Sequence, residues 1–560
     1  MGPTRIPVAV RAAVLLVALA SACARQSEFI GNVAGQSGQS GRGGQGGQGN
    51  APGGNGGAPG ATCDFTVPAV PVVSEPTWAC GRNCIEESGA APRTAFEAAT
   101  PDDPGRVPEW AYPLPGSVHP INLPRLLLQW RRASGPGQTA FRITIEGRDR
   151  PGPPFEFLVP YTPPTQPTAP LATDVVYDVR PEHWKYIAAQ LAGSEATLRV
   201  AALDPTANKV TTSAAVTIRF TAAPVEARVH YVTLLEGTPP DQRGLRRLTL
   251  GADTSELLVR PGSAANGHDC TGCHSPSADG ARVAFAAGYG ATLGVADTGS
   301  LDVPVLRPSP DDTGEAVAPA LSPRGDRVFA RDATNSTVTL RTADGIVLHT
   351  RTRADMEGRI DYPAWSPSGT ELVAGRAVSP SQPAEPYLIG DGHIVTIPIT
   401  GDRIGDPELL VADTTGAWVY MQPVFSPDGA WVVFVARRNG AGSRSANSEL
   451  RLFQRSTGRL IVLGATTREL EAKAISWPHF APVPQNGCRK LYLVFQSHLD
   501  YGFVLRNILL SANAQVPQLW LSEIDVDKLD GDPSGDPMSA PVWLPGQDST
   551  NKNILPFPTR

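Results

Sequence analysis

The chain has 560 residues, too many for one small hydrophobic core, and a formal net charge of −6. With 48 Lys and Arg against 54 Asp and Glu and no basic block, the charge pattern excludes nucleic acid as a partner. The 56 glycines and 55 prolines favour turn-rich β structure over helical bundles, so the expected fold class is all-β.

The N-terminus reads as a targeting segment. Arg5 and Arg11 precede the apolar run Ala12–Leu19, which is too short for a permanent membrane span. The run ends in Ala20-Ser21-Ala22-Cys23, which resembles the lipobox of bacterial lipoproteins, with Ala20 where Leu is more usual. The resemblance implies a lipoprotein signal peptide over residues 1–23, lipidation of Cys23 and a membrane-anchored place in the bacterial envelope, periplasmic or outer-surface. An ordinary cleaved signal peptide is the alternative, and both export the chain.

Residues 24–61 are rich in Gly, Gln and Ser and cannot bury apolar surface, which predicts a flexible tether. Residues 62–107 contain Cys63, Cys80 and Cys84. Together with Cys488 these make four disulfide candidates in an exported chain, with three pairings that spacing does not separate.

Residues 108–224 alternate apolar and polar residues, as in Phe141-Arg142-Ile143-Thr144-Ile145-Glu146 and Val216-Thr217-Ile218-Arg219-Phe220. This is the pattern of half-buried antiparallel strands and predicts a β-sandwich broadly similar to a fibronectin type III domain, with Trp130 and Trp184 as core anchors.

Residues 225–560 carry a repeat. Ser322-Pro323-Arg324-Gly325, Ser366-Pro367-Ser368-Gly369 and Ser426-Pro427-Asp428-Gly429 each precede an apolar strand. Worn copies stand at Ser277–Gly280 and Phe480–Gly487. The turn resembles that of the TolB-like β-propeller family, in which it precedes an apolar strand. The resemblance covers about 330 residues and implies a propeller, but says little about function. Five copies, plus a sheet combining Arg228–Val232 and Leu245–Leu248 with Asn553–Phe557, predict six blades closed by both ends of the segment.

Within that repeat lies Cys270-Thr271-Gly272-Cys273-His274, the attachment pattern of c-type haem: two thiols add to the porphyrin vinyls and the His takes an axial position on iron. With 7 Cys and 9 His in the chain, chance yields this pattern on the order of one time in a thousand. A plain C-x-x-C disulfide or a half zinc site are the rival readings. Aligning the turn glycines Gly280 and Gly429 sets His274 opposite Pro423, Cys273 opposite Gln422 and Gly272 opposite Met421. This predicts a haem-binding turn at the entry of an innermost strand, near the mouth of the central channel. Met421 and His479 are candidate distal iron ligands, with His268 or an open position as alternatives.

Metalloprotease, Walker and nucleophile-elbow motifs are absent from the sequence, and Asp525–Asp532 fails as a calcium loop because Leu529 stands where an oxygen ligand is needed. The leading expectation is an exported, lipid-anchored protein with one covalent haem c, transferring single electrons to an unidentified redox partner. The alternative is a propeller that binds or assembles an envelope protein or polymer, with haem structural or absent. A haem enzyme is a third reading for which no distal acid or base is identifiable.

Overall fold

The computed structural model describes residues 65–560, apart from 135–136, 151, 162–172, 235–243, 260–270, 288–291, 299–316, 333–335, 378–391, 439–447, 465–474, 506–515 and 532–534. Cys23, Cys63, His268 and Cys270 lie outside the described residues. Among those described, no helix is long and apolar enough to cross a membrane.

The N-terminal part builds two sheets, one of eight strands and one of three. Trp130, on Leu126–Arg131 of the smaller sheet, meets Phe141 of the larger one edge-on, with ring centroids 5.2 Å apart. Burial of such aromatic side chains is what holds the two layers together. The larger sheet departs from a fibronectin-like sandwich of antiparallel sheets. It contains parallel pairs: Cys84–Glu86 with Phe155–Pro160, Lys209–Thr212 with Thr100–Pro101, and Val216–Phe220 with Val118–His119. Trp184 is fully buried, but it stands on the helix Pro181–Gln190, which strand alternation did not foreshadow. Cys80 and Cys84 are disulfide-bonded to each other, and Cys488 is also in a disulfide.

Six antiparallel sheets follow among the described residues. Innermost strand first, they begin with Lys552–Thr559, Thr271–Pro276, Val317–Leu321, Arg359–Trp365, Trp418–Phe425 and Ser476–Phe480. Lys552–Thr559 pairs with Arg228–Leu234, so one sheet joins two segments far apart in sequence. Each innermost strand touches the next, and Thr271–Pro276 touches Lys552–Thr559, so the contacts close around an axis. This is a β-propeller.

Ser-Pro-x-Gly turns link the innermost strands Val317–Leu321, Arg359–Trp365 and Trp418–Phe425 to their neighbours. Ser426 Oγ donates to Asp428 Oδ1 and accepts from the Trp431 N–H at 2.9 Å, while Gly429 supplies φ +69°. Ser277 repeats this with Asp279 at 2.6 Å and the Arg282 N–H at 3.0 Å. At Gly280 a Cβ would lie 2.6 Å from Thr559 Oγ1, so both backbone sign and space demand glycine there.

Candidate functional site

Every innermost strand carries the same irregularity. Its ladder register shifts by one residue, at Gly272/His274, Val317/Ala320, Asp361/Ala364, Met421/Val424 and Ser476/His479. Lys552–Thr559 shifts likewise, where its ladder partners pass from Ile554 to Phe557. At each shift stands a non-glycine residue with positive φ: Cys273 (23°), Ala318 (50°), Tyr362 (52°), Gln422 (54°), Trp477 (54°) and Leu555 (58°). The next residue is proline in five strands and His274 in the sixth. A bulge re-aims side chains, and proline, which lacks an N–H, is tolerated where the ladder is broken.

All six positive-φ residues line one half-open axial cavity with about 30 Å³ of internal space. His274, His479 and Phe557 line it as well. Phe557 packs against both imidazoles at a tilt, 3.8 Å from His479 and 4.9 Å from His274 between ring centroids. Trp477 meets Tyr362 edge-on at 5.2 Å. Gln422 is oriented by the Trp477 N–H, which donates to its Oε1 at 2.8 Å. His479 Nδ1 lies 3.4 Å from the Trp477 carbonyl.

The histidines here are held neutral. Burial pushes His274 down to about 3, aided by His230 and His479. Burial alone lowers His479 to about 3, and burial followed by the Arg247 charge lowers His230 to about 4. In the N-terminal sheets, burial likewise takes His119 to about 3. Each group binds its proton more weakly folded than unfolded, so its contribution to stability is complete above about pH 6.5 and is lost as pH falls toward the folded value. The loss approaches about 1.4 kcal/mol per pH unit for each histidine. Urea unfolding should therefore show a drop of several kcal/mol between about pH 7 and about pH 5; equal stability at the two values would disprove neutral burial.

Of the expected haem-binding turn, residues 271–274 are described, and they lie in a strand. Thr271–Pro276 is itself an innermost strand, with Thr271, Gly272 and His274 paired to Ala287, Ala286 and Phe285. Cys273 takes the positive-φ position and His274 the place of proline, and both line the axial cavity. The structure brings Cys273, His274 and His479 to one wall. Met421 is directed elsewhere: it belongs to the core cluster that includes Val419, Val433 and Val435 and does not line the cavity.

As donors, Cys273 and His274 suit haem, and both His274 nitrogens are buried without a hydrogen-bond partner. The space does not suit it with Phe557 where it stands, because the phenyl ring occupies the gap against both imidazoles. Among the described residues, no group of three or more His, Cys, Asp or Glu is arranged to hold a metal ion. Gln422, Trp477 and Phe557 escaped the sequence reading. The signal that could have found the first two is the residue before each repeat proline.

No protein-family model and no curated protein matches the chain. Among solved structures, TolB from Acinetobacter baumannii is similar over 66% of this chain and 80% of its own, with 13% identity and a TM-score of 0.40. A putative TolB from Agrobacterium tumefaciens is similar over 59% of this chain and 97% of its own, with 13% identity and a TM-score of 0.34.

Proposed function

We propose that this is an exported, lipid-anchored, six-bladed TolB-like propeller of the bacterial envelope that works as a binding module. Its axial cavity receives a group projecting from an envelope protein or polymer. One observation carries the reading: six non-glycine residues in the left-handed region, one per innermost strand, converge on one cavity. Each such residue costs on the order of 1 kcal/mol, and strain of this kind clusters at functional sites. The backbone is the same six times while the side chains differ (Cys, Ala, Tyr, Gln, Trp, Leu), which makes a constant frame with a variable surface.

A cavity-filling variant tests it. Ala318→Trp places at one strand the side chain that Trp477 already carries at the same backbone conformation. The variant, shown to be folded by its circular dichroism, is expected to bind purified envelope fragments at least about tenfold more weakly in cosedimentation. Undiminished binding would remove the cavity from the function.

The side-by-side placement of Cys273 and His274 on the wall favours a second reading, a haem c attached through Cys270 and Cys273 with His274 as its proximal ligand. That reading requires Phe557 to leave its place against the imidazoles. A pyridine haemochrome spectrum of protein made with c-type maturation machinery separates the two, since covalent haem would fill the cavity.

A further inference from the structure

We propose that the group received by the axial cavity is the acetamido group of an N-acetylated amino sugar in an envelope glycan; this rests on the binding-module reading above. Trp477 is the pivot. Its N–H donates to Gln422 Oε1 at 2.8 Å, which fixes the amide and leaves Nε2 as a donor with no acceptor among the described residues. Its carbonyl, 3.4 Å from His479 Nδ1, can only accept, so the neutral ring carries its proton on Nδ1 and keeps a lone pair at Nε2. One donor and one acceptor are thus held by the two ends of a single residue's backbone. A secondary amide offers the matching pair, a carbonyl for Gln422 and an N–H for His479.

The rest of the wall selects what the amide carries. Ala364, Val424, Pro363 and Pro423 form a small apolar surface suited to a methyl group, and the Trp477 and Tyr362 rings, packed edge-on against each other, line the same cavity. Among the described residues, no carboxylate, guanidinium or ammonium lines the cavity, so a charged group there would meet no partner among them. The packing of Phe557 against His479 and His274 closes the space beside them. A chain-terminating acetyl group fits such a space, whereas a peptide amide must continue on both sides. An Asn or Gln side chain would bring a second N–H and no methyl.

Isothermal titration of the full chain with N,N′-diacetylchitobiose and with its deacetylated diamine tests the proposal. The acetylated sugar should bind, and the diamine should bind at least about tenfold more weakly, because it leaves Gln422 and His479 unpaired and introduces charge. Gln422→Glu, shown to be folded by its circular dichroism, should weaken the acetylated sugar by about tenfold or more. Ala318→Trp, which fills the cavity without touching either polar group, should do the same. Equal affinity for the two sugars, or binding of neither, would overturn the assignment. Tighter binding of N-acetyl-alanyl-alanine amide than of the sugar would overturn it in favour of a protein ligand. Cosedimentation with envelope fragments that the disaccharide fails to compete would defeat this inference and leave the binding module standing.

Discussion

Replacing Asp361 by alanine is expected to lower the unfolding free energy by about 3–5 kcal/mol. Asp361 Oδ1 accepts from Arg331 Nη2 at 3.0 Å, and its Oδ2 accepts from Arg359 Nε at 2.6 Å. All three side chains are 2–3% exposed. Arg331 belongs to the sheet built on Val317–Leu321, and the other two to Arg359–Trp365 of the next sheet, so one carboxylate staples two sheets. A buried ion pair adds little over an apolar replacement of both partners, but removing one partner strands buried charge. Here two guanidiniums lose the same carboxylate. Asp361→Asn, which keeps an acceptor but not the charge, should cost less than Asp361→Ala. Urea unfolding of both variants checks the order, and an alanine variant within about 1 kcal/mol of the parent would show that the triad contributes no such staple.

Tyr501→Ala should cost a similar amount, about 3–5 kcal/mol, and separate two unfolding events that otherwise coincide. Tyr501 is buried, stacks on Trp543 with centroids 4.2 Å apart and planes 11° apart, and meets Tyr112 of the N-terminal sheets edge-on at 4.9 Å. The Tyr112 hydroxyl accepts from the Trp543 N–H at 3.2 Å. Nearby, Gln129 Oε1 accepts from the Phe503 N–H at 2.6 Å, and Arg219 pairs with Glu523. Aromatic burial and satisfied polar groups therefore continue across the junction, and removing the central ring opens a cavity within it. Differential scanning calorimetry should show one transition in the parent and two in the variant; a single transition at an unchanged midpoint would place the coupling elsewhere.

The repeat was legible because its turn chemistry is local. Ser, Pro and Gly at fixed offsets dictate a turn whichever sheets surround it, so Ser322, Ser366 and Ser426 marked their positions without tertiary information. The pairing of Arg228–Leu234 with Lys552–Thr559 could be anticipated by counting strands. The helix carrying Trp184 could not, since a lone ten-residue helix offers a weak period beside strongly alternating neighbours. The cavity was half visible. Three of its prolines, Pro319, Pro363 and Pro423, stand six residues before a turn glycine, but the left-handed residues preceding its five prolines are Ala, Tyr, Gln, Trp and Leu, types that give no sign of positive φ. Met421 and Gln422 are adjacent in sequence, and a single bulge decides which of them meets the axis. No alternation rule locates that bulge.

The sheet shared by Arg228–Leu234 and Lys552–Thr559 has a consequence for how the molecule comes into being. Its two strands are more than 300 residues apart, so a growing chain can pair them only after it has made the five sheets that lie between them in sequence. Until Lys552–Thr559 is made, Arg228–Leu234 keeps one edge unpaired and open to strands of other molecules. Assembly of the ring is therefore a contest between making that strand and aggregating, and losing Lys552–Thr559 would decide it for aggregation.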